Sequence, residues 1–204
     1  DVPYFMLGHS MGSFLLRQYL GLYGDGISGA IVMGTGSKSN LLLTAGKVLC
    51  RIIAFGKGWE YRSKLVNNMA FGGFNKKFSQ ETNGSDWLSR NPVNSQKYAK
   101  DPLCSFVFTV NAYYQMFCGI LAVNHQEKNG KIPKTLPIFL VAGKDDPVGN
   151  FGKSVENIYK NYKSCGIEDV SMKLYENDRH EILNEVDRSL VFDDLLTWME
   201  KRKR

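Results

Sequence analysis

Residues 4–20 read YFMLGHSMGSFLLRQYL. An apolar run stops at Gly8-His9-Ser10-Met11-Gly12 and resumes with a different period. Val2 to Leu7 has the length of a buried strand. Met11, Leu15, Tyr19 and Leu22 then recur at helical steps. Gly24-Asp25-Gly26 stops that helix, and Gly29 to Met33 is a second short strand closed by Gly34-Thr35-Gly36. Strand, helix, strand with short connections predicts a βαβ unit, and therefore a parallel sheet.

The pattern changes from Lys38 to about Lys131. Leu41, Ala45, Val48, Leu49 and Ile52 give a helix, Glu60 to Met69 and Ser95 to Lys100 give weaker ones, and Asn111 to Asn124 a strong one. No strand is evident there, so this stretch reads as a helical insertion. Strands return at Pro137 to Ala142 and, near a sheet edge, at Val170 to Tyr175. Helices follow each, with Val155, Ile158, Tyr159 and Tyr162 on one face of the first and Val191, Leu195, Trp198 and Met199 inward in the second.

The serine explains the glycines around it. In G-x-S-x-G between a strand and a helix, the serine sits on a strained turn with its hydroxyl pushed out at the carboxyl end of the sheet. Glycines let the backbone pass where a β-carbon would clash. The Met11 N–H, at the helix start, points to where an oxyanion would form. The plainer readings are a Gly-rich turn or a phosphate loop; the dinucleotide pattern G-x-G-x-x-G is absent.

A serine needs a base, and the chain has 3 histidines. His9 lies inside the turn and reads as a packing or hydrogen-bonding residue. His125 ends a helix, where it suits the helix dipole. His180 follows a parallel strand, on the same rim as Ser10, and is the well-placed base. The orienting acid should come from Gly143-Lys144-Asp145-Asp146-Pro147, also just past a strand; the residues alone leave Asp145 and Asp146 open. The order Ser, Asp, His differs from the chymotrypsin and subtilisin orders.

Composition narrows the classes further. A chain of 204 residues supports one domain with an insertion. The net charge of +6 reads as scattered solvated lysines plus the terminal Lys201-Arg202-Lys203-Arg204, with no basic stripe and interleaved aromatics for nucleic acid. The 4 cysteines have neither CxxC spacing nor accompanying histidines, so reduced thiols in a cytoplasmic protein are expected, without metal or cofactor.

The stretches GHSMGS, GKDDPVGNFGKSVENIY and LYENDRHEILNE, with SDWLSRN and DPLCSFVFT in the insertion, resemble the alpha/beta hydrolases of the lysophospholipase, monoacylglycerol lipase and serine aminopeptidase-like group. The resemblance covers the whole chain. It implies an alpha/beta-hydrolase fold with a core at 1–37 and 132–204 and a helical cap at 38–131. It also implies Ser10, Asp146 (the aspartate of G-x-x-D counted from Gly143) and His180 as the catalytic triad, with the Met11 N–H in the oxyanion hole. Phe106, Phe108, Tyr113, Tyr114 and Phe117 either line an acyl pocket or form the cap's own core. Such hydrolases carry several strands before the nucleophile, and one of their loops holds the second oxyanion amide. The chain is therefore expected to be the C-terminal portion of a longer hydrolase with the early strands missing.

The expected activity is hydrolysis of carboxylic esters, monoacyl lipids such as lysophospholipid or monoacylglycerol, through an acyl-enzyme. The expected partners are the lipid ester and, transiently, a membrane surface, with no nucleic acid. The rivals are an aminopeptidase-like enzyme of the same fold and a non-catalytic binding module.

Overall fold

The computed structural model describes residues 2–78, 84–128 and 130–203. Arg204, the last of the terminal basic run, lies outside them. Four parallel strands form one sheet in the order β1-β2-β3-β4: β1 Phe5–His9, β2 Gly29–Met33, β3 Ile138–Gly143 and β4 Val170–Tyr175. Phe5 lies opposite Gly29, Ala30 opposite Ile138, and Ile138 opposite Val170. The expected parallel sheet is present, with the Val170–Tyr175 strand at its edge.

Helix α1 (Met11–Tyr23) joins β1 to β2. Between β2 and β3 come α2 (Asn40–Lys57), α3 (Lys64–Phe71), α4 (Pro92–Lys100) and α5 (Val110–Lys128), with no strand among the described residues. Helix α6 (Lys153–Ser164) joins β3 to β4, and α7 (Arg188–Glu200) ends the fold. The sequence signals the starts of the inserted helices. The Ser39 and Ser63 hydroxyls accept the Leu42 and Val66 N–H groups at 3.3 and 3.4 Å. Asn91 caps α4 ahead of Pro92, whose missing N–H costs nothing at a first helical position.

β2 and β3 are buried along their whole length, so both read as continuous apolar runs rather than alternating ones. On one sheet face, Val32, Ile138 and Leu140 pack with Leu16 and Leu20 of α1 and Val155 and Ile158 of α6. On the other, Ile31, Phe139 and Val141 pack with Val191, Leu195 and Trp198 of α7. Each such side chain contributes about 1.5–3 kcal/mol. The inserted helices have their own core, where Leu43 and Cys50 of α2 meet Tyr113, Phe117 and Ile120 of α5. Because α5 also packs on α1, this layer is seated on the sheet.

In two helices the apolar period marks the helix but not the buried face. Met11, Leu15 and Leu22 of α1 are exposed, and the inward residues are Ser13, Leu16, Arg17 and Leu20. Leu41, Val48 and Ile52 of α2 are exposed, and Leu43, Gly46, Cys50 and Ala54 face inward. Both helices carry apolar residues on more than one side, so spacing alone does not choose. No helix among the described residues is long and apolar enough to cross a membrane.

Candidate active site

Ser10 has φ 55° and ψ −121°, between the last residue of β1 and the first of α1. A non-glycine residue there is strained by about 1–3 kcal/mol and must be held. Its N–H donates to Met33 O at 3.1 Å, and its carbonyl accepts the Ser13 N–H at 2.9 Å. The two glycines of the turn are not equivalent. A β-carbon on Gly8 would lie 2.5 Å from Gly12 O and 2.8 Å from Leu16 Cβ, so Gly8 lets β1 and α1 cross. A β-carbon on Gly12 would meet no described atom within 4 Å. Met11 opens α1, so its N–H has no acceptor within the helix.

The two aspartates beyond β3 separate cleanly. Asp146 is fully buried: Oδ2 accepts from His180 Nδ1 at 2.9 Å, and Oδ1 accepts the Val148 N–H at 2.8 Å. Asp145 points outward to Lys77 Nζ at 3.3 Å. With Nδ1 committed to a carboxylate, the neutral His180 ring carries its proton there and leaves Nε2 as a base. His180 Nε2 is buried and has no hydrogen-bond partner among the described residues, Ser10 included. The ring lies against the Ser10 turn. Its centroid is 4.7 Å from that of His9, and its Cε1 would be 3.2 Å from a β-carbon on Gly34, just past Met33. His9 donates from Nε2 to His180 O at 3.0 Å. Burial, and then the neighbouring His180, lower the His9 pKa, so His9 stays neutral. It braces the turn, as its position in the sequence suggests.

The segment 86–91 grips the His180 loop. His180 N–H donates to Trp87 O at 3.4 Å and Glu181 N–H to Leu88 O at 2.8 Å. The Trp87 ring stands 5.0 Å from the His180 ring, on a wall that continues to Phe74. Buried Glu185 accepts from Ser89 Oγ at 2.9 Å and from the Arg90 and Arg179 N–H groups at 3.0 Å. Arg90 also bridges Asp178 and Asp187 at 3.1 and 2.7 Å. The Asp178 carboxyl is pushed up to about 7 by burial, then by the nearby Asp187 and Glu185. Among the described residues no three His, Cys, Asp or Glu side chains are placed to hold a metal ion.

A second buried network lies beneath the site. Arg17 donates to both Glu127 oxygens at 2.7 and 2.8 Å, to Thr35 Oγ1 at 2.9 Å and to Gly36 O at 2.8 Å. Tyr162 Oη also donates to Glu127. Burial works to lower the Arg17 pKa, but Glu127 and then Tyr162 hold it above its usual value. Arg17 thus ties α1, the loop after β2 and α5 together, and Glu127 extends the tie to α6. Sequence spacing gives no hint of it, since the partners are 110 residues apart. The segment 86–91 lies in a stretch that carries the resemblance, but nothing there signals its contact with His180.

An apolar cavity opens beside these loops. Phe14, Leu42, Met69, Met116 and Phe117 line it, with Val148 from the acid loop. Of the five aromatics singled out in the sequence, only Phe117 lines this cavity; Tyr113 is buried in the core of the inserted helices, with Phe108 and Tyr114 packed against that core.

Among solved structures, a thermostable carboxyl esterase from Bacillus coagulans, crystallised with glycerol, is similar at 26% identity and a TM-score of 0.88. The match covers 100% of this chain and 66% of the esterase. A soluble variant of monoglyceride lipase from Saccharomyces cerevisiae, in complex with a substrate analog, matches at 20% identity and TM-score 0.71 over 99% of this chain and 63% of its own. The monoacylglycerol lipase of Paleococcus ferrophilus matches at 18% and 0.67 over 98% and 69%. The chain thus spans about two thirds of the length of these proteins. The last two likenesses show the fold alone. No curated protein sequence matches the chain significantly. The family model described as serine aminopeptidase, S33, matches residues 1–187, and the chain belongs to that family, with the alpha/beta-hydrolase fold.

Proposed function

We propose that the protein is a serine hydrolase that cleaves carboxylic esters of monoacyl lipids, with Ser10, His180 and Asp146 as its triad. The observation that carries this reading is the buried His180. Its Nδ1 is fixed on Asp146, and its Nε2 is unpartnered beside the strained Ser10 turn.

In this mechanism Ser10 Oγ attacks the ester carbonyl carbon as His180 Nε2 takes the hydroxyl proton. Asp146 keeps the imidazole oriented and stabilises its cationic form. The Met11 N–H donates to the oxygen that becomes negative, and the α1 N-terminus adds favourable potential. Collapse of the tetrahedral intermediate breaks the bond to the alcohol oxygen, which receives the proton from His180 and leaves. Water then attacks the acyl-Ser10 ester, giving a proton to His180, and the acid departs as Ser10 Oγ recovers that proton. The substrate class rests on the apolar cavity beside Val148, which suits an acyl chain better than a peptide.

The test compares a monoacylglycerol, a lysophospholipid and an aminoacyl amide as substrates. Ester turnover that disappears in Ser10→Ala supports the reading. Turnover of the amide alone would make the protein the peptidase that its family description names. Turnover of none of the three would make it a binding module.

A further inference from the structure

His180 stands on residues 176–181, a stretch between β4 and the short helical turn Ile182–Asn184 that has no helix or strand of its own. Its backbone N–H groups must therefore find acceptors elsewhere. Three in a row do so: Arg179 N–H donates to Glu185 Oε1 at 3.0 Å, His180 N–H to Trp87 O at 3.4 Å and Glu181 N–H to Leu88 O at 2.8 Å. Glu185 is fully buried and continues the seam. It also accepts the Arg90 N–H, at 3.0 and 3.2 Å from its two oxygens, and Ser89 Oγ at 2.9 Å. Arg90 Nε stands off at 3.9 Å. One carboxylate thus joins residues 89 and 90 of the insertion to residue 179, while the backbone joins 87 and 88 to 180 and 181.

Both sides of the seam are held in turn. Trp87 N–H donates to Asn75 Oδ1 at 3.0 Å, and Ser95 Oγ of α4 donates to Ser89 O at 3.0 Å. On the far side, Asp178 O accepts the Asp145 N–H of the acid loop at 2.9 Å. The His180 ring has its own contacts: Asp146 on Nδ1, and the rings of His9 and Trp87 at 4.7 and 5.0 Å between centroids. With those made, the distance from Nε2 to the Ser10 hydroxyl is set by where the His180 backbone lies. Reacting groups tolerate a misplacement of only about 0.5 Å. Apolar packing would join the same segments but let them slide, whereas a carboxylate with three donor groups fixes their register.

We propose that Glu185 is a positioning residue for His180: acting through the Arg179 N–H, it fixes the base against the inserted segment, so that the insertion sets the reach of Nε2 toward Ser10. The effect on turnover rests on the hydrolase reading, with His180 as its base; the effect on the His180 ring does not.

The test compares the parent, Glu185→Ala and Glu185→Gln, each at a temperature where circular dichroism shows it folded. Glutamine keeps one acceptor oxygen for the two N–H groups, and its amide can donate to Ser89 Oγ. Glu185→Ala is expected to lower kcat for ester hydrolysis about 10²-fold with KM near the parent's, the loss that a displacement of about 1 Å produces. Glu185→Gln should recover most of it. The second readout needs no turnover: the low-field proton resonance of His180 Nδ1–H, bonded to Asp146, should be sharp in the parent and in Glu185→Gln, and broadened or absent in Glu185→Ala. Should Glu185→Ala fail to fold, Ser89→Ala, which removes one of the three donor groups, should show a smaller loss of kcat of the same kind. A parent inactive on every ester, with the His180 resonance still lost in Glu185→Ala, would sink the hydrolase reading and support the positioning. A kcat per folded molecule equal to the parent's with the His180 resonance unchanged, or a raised KM with kcat unchanged, would overturn the proposal.

Discussion

Asp146 and His180 are locked to each other with neither exposed: the carboxylate takes the Nδ1 proton at 2.9 Å while its other oxygen is held by the Val148 N–H at 2.8 Å. Asp145, one residue earlier, faces solvent and Lys77. Asp146→Asn should therefore lower ester turnover by about 10³- to 10⁴-fold, because an amide that donates to Nδ1 favours the wrong tautomer. Asp145→Asn should cost less than about threefold, as loss of an exposed ion pair does. Steady-state rates of the two variants check the ranking, and the reverse order would assign the acid to Asp145.

The Arg17–Glu127 pair should matter for stability far more than surface ion pairs do. Arg17 is 1% exposed, and Glu127 also receives the Tyr162 hydroxyl. Arg17→Met leaves a buried carboxylate without its counter-charge, which typically costs about 3–5 kcal/mol. Denaturant unfolding should show a loss of that size, and a far smaller one for Lys144→Met, which with its partner Glu176 is exposed and screened by solvent. Equal losses would mean that the buried network does not anchor α1 to α5.

The glycines of the turn give opposite expectations. Gly8→Ala forces a β-carbon against Gly12 O and Leu16 Cβ, and should destabilise by about 1–3 kcal/mol. Gly12→Ala meets open space inside the first turn of α1 and should be neutral or stabilising by about 0.5–1 kcal/mol. Thermal unfolding of the two variants side by side is the check.

Asp178 should make the fold less stable as pH rises. Its carboxyl is held at about 7 in the fold, against about 3.9 when unfolded, so between those values the folded state binds more protons. Stability from this group is complete below about pH 4 and falls as pH rises toward 7. Asp178→Asn should remove that component, and the difference in stability between variant and parent should grow in the variant's favour from pH 4 to pH 7. A difference that is flat across this window would show that Asp178 ionises normally.

Much of the fold can be read directly in the chain, because β2 and β3 are continuous apolar runs and the G-x-S-x-G turn separates two different periods. The triad candidates are legible because each follows a strand at one rim. The choice between Asp145 and Asp146 is not, since it depends on which carboxylate meets the Val148 N–H and the His180 ring. Arg17 looks like a polar residue on a helix surface and is buried only because Glu127 arrives from α5. Asp178 and Glu185 are buried because Arg90, Ser89 and backbone N–H groups donate to them from a segment 88 to 96 residues away in the chain, which no local pattern shows. In α2 the helix is legible and its buried face is not, because apolar residues occupy both sides.

The proposed chemistry stands or falls on Ser10 being a nucleophile activated by His180. It is tested most directly by incubating the protein with a fluorophosphonate and mapping the modified residue by peptide mass spectrometry. One adduct on Ser10 is expected, with none in Ser10→Ala and labelling at least about 10³-fold slower in His180→Ala. Labelling of Ser10→Ala to the same extent as the parent, or an adduct on a different serine, would contradict it.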